Sequence, residues 1–161
     1  MTSTLQVQLL GRFQLQFENA LLTDISSPRL QSLLAYLLLN AGTPLSRRQI
    51  AFQLWPDSSD SQARGNLRRE LSTLRRKLPD AEQFLQMNGQ VVQWNPDAPC
   101  TIDVFEFEHH LATAKDVAGT AEEQPALQTA VDLYQGPLFP DCYDEWIWAE
   151  RDQLEQAFAH A

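Results

Sequence analysis

The chain has 161 residues and a mass of 18.3 kDa, room for one domain of ordinary size or two small ones. Hydrophobic residues at 43% and charged residues at 20% exclude a disordered tail or a fibrous repeat, and no run approaches the roughly 18 apolar residues that cross a bilayer. The formal net charge of −9 argues against a polyanionic partner only as an average: residues 1–95 carry 10 basic and 7 acidic side chains, residues 96–161 carry 2 and 14. Such a split indicates separate roles for the two halves. The composition changes at Asn95-Pro96-Asp97-Ala98-Pro99, a proline-bearing turn, and two domains are expected, 1–95 and 96–161.

Leu5, Val7 and Leu9 alternate with glutamines, as do Phe13, Leu15 and Phe17, with Gly11-Arg12 between them. This period of two predicts a half-buried β-hairpin with a tight turn, and a third short strand near Leu21–Thr23. A first helix follows. Ser26 or Ser27 caps it, Pro28 suits its first position, and Leu30, Leu33, Leu34, Leu37 and Leu38 hold helical spacing until Asn40-Ala41-Gly42 stops it. A second helix starts at Ser46-Arg47-Arg48-Gln49, a capping box stapled by Leu45 and Ile50, and ends at Pro56. Arg47 and Arg48 stand in its first turn, where the helix dipole disfavours cations by a few tenths of a kcal/mol. A bound phosphate would offset that cost; two solvated arginines are the alternative.

The third helix is expected from Asp60, with Ala63, Leu67, Leu71, Leu74 and Leu78 on its apolar stripe. The opposite stripe holds Gln62, Gly65, Arg69, Ser72 and Arg76, flanked by Arg64, Arg68 and Arg75 on one side and Asn66 and Thr73 on the other. With Glu70 as its internal counter-charge, such a helix repels itself at pairs like Arg64–Arg68. An anionic partner relieves this; an ordinary solvated face is the bland reading. Asn88-Gly89 between Phe84–Met87 and Gln90–Trp94 then predicts a hairpin.

Strands, three helices and a hairpin make an α+β winged helix-turn-helix, in which the third helix enters a major groove and the hairpin is the wing. The segment LLAYLLLNAGTPLSRRQIAFQLWPDSSDSQARGNLRRELSTLRRKL resembles the OmpR/PhoB-type DNA-binding domain. Leu54-Trp55-Pro56 and the spacing from Asn66-Leu67 to Leu74-Arg75-Arg76 resemble the SARP type of bacterial transcriptional regulators. In that family a bacterial transcriptional activator domain (BTAD) follows. Asp103-Val104-Phe105-Glu106-Phe107 resembles its opening, and AVDLYQGPLFPDCYDEWIWAERDQLEQ its core.

The resemblance implies a DNA-binding transcriptional activator that binds double-stranded promoter DNA, often direct repeats on which a homodimer would sit, and that recruits RNA polymerase. The implied DNA-binding residues are Gln62, Arg64, Gly65, Asn66, Arg68, Arg69, Ser72, Thr73, Arg75 and Arg76 on the recognition helix. Ser46, Arg47 and Arg48 would contact the backbone, and Asn88, Gly89 and Gln90 form the wing tip. A protein-interaction scaffold, its basic face meeting an acidic protein, is the rival reading.

In the acidic half, Asp103 is expected to cap a helix with Glu106 as its capping-box partner, and Val104, Phe107, Leu111, Ala114 and Ala118 form its apolar face. A second helix has Pro125 near its start, Leu127, Ala130, Val131 and Tyr134 on one face, and Gly136-Pro137 as its stop; a third begins near Asp144. This resembles the start of an all-α tetratricopeptide-like array. Such arrays use about three repeats for a closed core, so the module is expected to be incomplete, a fragment of a longer regulator or a face completed by docking. Its acidity reads as solubility, or as a surface that contacts polymerase.

No enzyme is indicated. His109-His110 and Cys100 lack zinc spacing, and there is no CxxC, glycine-rich phosphate loop or GxSxG. No cofactor or metal is expected. Two cysteines make no disulfide framework and no export signal is evident, so a cytoplasmic location without membrane attachment is expected.

Overall fold

Leu5, Val7 and Leu15 are buried while Gln6 stands exposed, and this alternation builds β1 (Leu5–Gln8) and β2 (Gln14–Phe17), antiparallel with Leu5 opposite Phe17. The computed structural model describes residues 4–161. The expected tight turn at Gly11-Arg12 is instead a longer loop from Leu9 to Phe13. The third strand, β3 (Ala20–Leu21), starts earlier than expected, because Glu18 and Asn19 turn the chain at φ of 51° and 68°. An unforeseen strand, β7 (Cys100–Ile102), pairs in parallel with β1, giving the order β3-β2-β1-β7.

The helices follow their caps. α1 (Pro28–Leu39) starts at Ser27, whose Oγ accepts from the Leu30 N–H at 3.2 Å. α2 (Arg47–Leu54) starts at Ser46, whose Oγ accepts from the Gln49 N–H at 3.0 Å. That bond is the Ser46 half of the expected capping box. α3 (Asp60–Lys77) starts at Ser59 and ends in Arg75, Arg76 and Lys77, where the helix dipole favours cations. A short α4 (Ala81–Phe84) takes Phe84 out of the expected strand. Then β5 (Leu85–Met87) and β6 (Val91–Trp94) form the hairpin, with β4 (Leu45–Ser46) on its other edge in the order β4-β6-β5. α5 (Asp103–Asp116), α6 (Glu123–Leu133), a 3-10 turn at Glu145–Ile147 and α7 (Trp148–Ala159) complete the chain.

These elements form two compact units that are not consecutive in sequence. The first joins the leading segment through Leu21 to Pro99–Tyr143 and Ile147–Ala161; the second joins Leu22–Ala98 to Asp144–Trp146. The expected division after residue 95 falls near the changeover at Ala98, but β1–β3, grouped by sequence order with the three helices, pack with the C-terminal helices.

In the first unit the loop after β1 is bound to the Gly-Pro segment. Gly11 N–H donates to the Pro137 carbonyl at 2.9 Å and Phe139 N–H to the Leu9 carbonyl at 2.6 Å. A Cβ on Gly136 would sit 2.9 Å from the Gly11 Cα, so only glycine allows this approach. Arg151 of α7 donates to the carbonyls of Leu138, Phe139 and Cys142 at 2.6–2.8 Å, which fixes a turn where Phe139 has a φ of 39°. Asp103 does not cap α5. Its two oxygens accept the Leu9 and Leu10 N–H groups, each at 2.9 Å, because β1 ends at Gln8 and leaves those donors without a ladder partner. Burial pushes the Asp103 carboxyl above the usual range, opposed by the backbone N–H groups of Leu10, Leu9 and Val104.

In the second unit, Leu30, Leu33, Leu34, Leu37 and Leu38 of α1 are buried, as are Ile50 and Leu54 of α2, and Leu67, Leu71 and Leu74 of α3. Phe84 stacks on Trp94 at 5.3 Å beneath the hairpin. Asp144, expected to begin a helix, turns to α1: it accepts from Arg29 at 2.7 and 2.9 Å, from the buried Ser32 hydroxyl at 2.6 Å and from the Trp146 indole at 3.1 Å. Arg29 also donates to the Leu54 carbonyl at 2.7 Å, joining α1 to the end of α2. Burial raises the Asp144 carboxyl, but the bonds from Arg29 and Ser32, the Arg29 charge and the Trp146 indole outweigh it, and the net shift is downward.

Two stability predictions follow from these contacts. Arg151→Ala removes the guanidinium from three carbonyls, of which that of Phe139 keeps the Cys142 N–H, and should destabilise the chain by roughly 1–3 kcal/mol in urea titration; an unchanged midpoint would show that the turn holds itself. For Asp144 the lowered carboxyl means a contribution present above the unfolded aspartate value, near pH 3.9, and lost as pH falls through the folded one. Asp144→Asn should therefore be less stable than the parent at pH 7, and the gap should close towards pH 2. A gap independent of pH would exclude the charge as its source.

Candidate nucleic-acid interface

α3 is seated by Ala63, Leu67, Leu71 and Leu74, with Leu78 just beyond it, all buried. That seat turns Gln62, Arg64, Arg68, Arg69, Ser72, Arg75 and Arg76 to solvent, with Gly65, Asn66 and Thr73 half-buried. Among the described residues none of these arginines has a carboxylate within ion-pair distance; the ion pair present is Arg29–Asp144. Lys77, at the end of the same basic run, is used structurally, its Nζ donating to the Asp24 carbonyl at 3.0 Å. The Thr73 hydroxyl donates back to the Arg69 carbonyl at 3.0 Å and so is engaged within the helix.

Two grooves lie between α3 and the wing. One, of about 430 Å³, is lined by Arg68, Leu71, Ser72, Arg75 and Arg76 of α3, by Arg47 at the start of α2 and by Met87 of β5. The other, of about 490 Å³, is lined by Arg47, Arg64, Leu67, Arg68 and Gly89. Neither is lined by a carboxylate. Their floor is apolar and their walls carry guanidiniums, a lining suited to an anion with bidentate oxygen pairs. Ser46, Arg48 and Arg64 line a third cavity at the α2–α3 turn, which includes Asp60 and the exposed Phe52.

Of the residues expected from sequence, Arg47, Arg64, Arg68, Ser72, Arg75, Arg76 and Gly89 converge on the two grooves. Gln62, Gly65, Asn66, Arg69, Thr73, Asn88 and Gln90 do not line them, and Ser46 and Arg48 belong to the third cavity. A Cβ on Gly65 would meet no atom within 4 Å, so no packing contact in the chain requires glycine there. Sequence reasoning missed Met87 as lining. It also missed that Arg47 Nε donates to the Asn88 carbonyl at 2.9 Å, since no periodicity links positions 41 residues apart. The wing tip is an Asx turn, Asn88 Oδ1 accepting the Gln90 and Val91 N–H groups at 2.8 and 2.9 Å.

Elsewhere, no group of three or more His, Cys, Asp or Glu side chains among the described residues could hold a metal. Burial pushes the Cys100 thiol up to about 12, which keeps it protonated and a poor nucleophile. No helix among the described residues is long and apolar enough to cross a membrane.

Three helices and a three-stranded sheet with a hairpin wing define a winged-helix module, and a helical module follows it. Residues 25–89 match the family described as transcriptional regulatory protein, C terminal, and residues 102–161 match the bacterial transcriptional activator domain. The two models together span most of the chain, and their order is the one expected of the SARP type, which the chain resembles. Among solved structures it is similar to Mycobacterium tuberculosis EmbR in complex with a low-affinity phosphopeptide, with a TM-score of 0.82 and 22% identity over 98% of this chain. The present chain spans 43% of that one. No curated protein matches it.

Proposed function

We propose that this regulator binds double-stranded promoter DNA, with α3 in the major groove, the wing beside an adjacent backbone, and the helical module contacting RNA polymerase. The observation that carries the reading is the pair of arginine-walled, carboxylate-free grooves between α3 and the wing. α3 spans roughly 27 Å at 1.5 Å per residue, enough to lie along a groove about 12 Å wide with phosphates on both sides. Arg47, Arg64, Arg68, Arg75 and Arg76 serve phosphates or guanine edges, and Ser72 is placed between them. Two protomers on a direct repeat would double the contact.

Salt dependence of duplex binding is the direct test. The logarithm of affinity should fall linearly with the logarithm of salt, at a slope of about −4 or steeper for this many phosphate contacts. A flat dependence, with no sequence enriched from a random duplex pool, would favour an acidic protein as the partner of this face.

Two sets of variants locate the contact. Arg68→Ala and Arg76→Ala should each weaken specific binding by roughly 1–3 kcal/mol. Arg69→Ala, on the exposed stripe outside both grooves, should cost less; an equal loss there would move base reading to that outer stripe. Gly65→Ala should raise thermal stability by about 0.5–1 kcal/mol while weakening duplex binding. Tighter or equal binding would show that no ligand backbone approaches Gly65.

A further inference from the structure

The wing is uncharged: from Leu85 to Trp94 it contains no acidic or basic side chain. Yet one guanidinium belongs to it in space. Arg47, the first residue of α2, donates from Nε to the Asn88 carbonyl at 2.9 Å, and its own N–H donates to the Gln90 carbonyl at 2.9 Å. Two wing-tip carbonyls therefore face one residue of α2, one bonded to its side chain and the other to its backbone. Among the described residues the Arg47 terminal amino groups have no hydrogen-bond acceptor, and the side chain lines both grooves, beside Arg64, Arg68 and Gly89 in one and beside Arg68, Arg75 and Arg76 in the other.

We infer that Arg47 is the positioning residue of the wing and supplies its missing positive charge: Nε braces the tip while the terminal amino groups are left for a phosphate of the bound duplex. This deepens the DNA-binding reading and rests on it. The chemistry requires arginine. A guanidinium presents a separate Nε–H and two terminal amino groups in a fixed fork, so it can serve a carbonyl on one edge and a phosphate on the other at once. A lysine ammonium is a single point and cannot hold both in that geometry. The brace also accounts for a cation in the first turn of α2, against the helix dipole: the Asn88 carbonyl solvates it there.

The test has one readout without DNA and one with it. In the DNA-free chain, hydrogen exchange at the Gln90 and Val91 amides should quicken about fivefold in Arg47→Ala and in Arg47→Lys, as for loss of one net hydrogen bond, with the melting temperature little changed. Arg48→Ala, whose side chain lines a different cavity, should exchange like the parent. With duplex, Arg47→Ala should reduce the salt slope by about 1, whereas Arg47→Lys should keep the slope and still lose affinity, because its charge remains but the tip is no longer held. Unchanged exchange in Arg47→Ala would overturn the brace, and an unchanged slope would overturn the phosphate role, which a purely structural arginine would not have. If the parent chain itself binds duplex without salt dependence, the DNA reading fails, and the exchange data still decide the brace on their own.

Discussion

Leu67, Leu71 and Leu74 set the direction of every other side chain on α3. Buried beside the α1 leucines and the Phe84–Trp94 stack, they leave the helix one rotational setting, and in that setting the guanidiniums have nowhere to go but solvent. Burying leucines yields about 1.5–3 kcal/mol each, against a few tenths for each like-charge repulsion along the helix. The hydrophobic term wins by a wide margin, so the chain can hold an electrostatically unfavourable ridge ready for a partner. The same term supports the wing, since β6 is anchored by Val92 and Trp94, both buried.

The helices and both hairpins were legible because their signals are local. Leucine spacing, Ser27 and Ser46 as caps, Asn88-Gly89 as a turn and the family likeness of the basic run all lie within a few residues of what they determine. What sequence reasoning missed is non-local. β7 pairs with β1 across some 95 positions, and a three-residue strand has no periodicity to read. Asp103 has every local mark of a cap, but free N–H groups at the end of β1 compete for its carboxylate and win with two bonds. Asp144 likewise stands where a helix should begin, and Arg29, Ser32 and Trp146 claim it instead. Polar side chains are the least predictable part of such a chain, because one distant partner outweighs a cap worth about 1 kcal/mol.

The candidate site shows the same division. That α3 is basic was plain from composition, but which arginines share a groove depends on where the hairpin lies. Arg68, Arg75 and Arg76 face it while Arg69 does not, a distinction that a helical wheel alone cannot make. Charge is also partitioned by use. Lys77 and Arg151 are spent on backbone carbonyls and Arg29 on Asp144, so, Arg47 apart, these basic residues that hold the fold together are distinct from those that line the grooves.

The interleaved chain path has a consequence for how the protein is made. β1, β2 and β3 leave the ribosome before the Leu22–Ala98 unit, yet their parallel partner β7 and the helices they pack against are translated after it. The Leu22–Ala98 unit can close around its leucines while these strands still wait, the β1 edge unpaired and exposed to other strands. Even that unit gains its final polar contacts only when Asp144 emerges. An interrupted synthesis therefore yields a chain with a nearly finished helical core and an open sheet edge, a form inclined to stick to its neighbours.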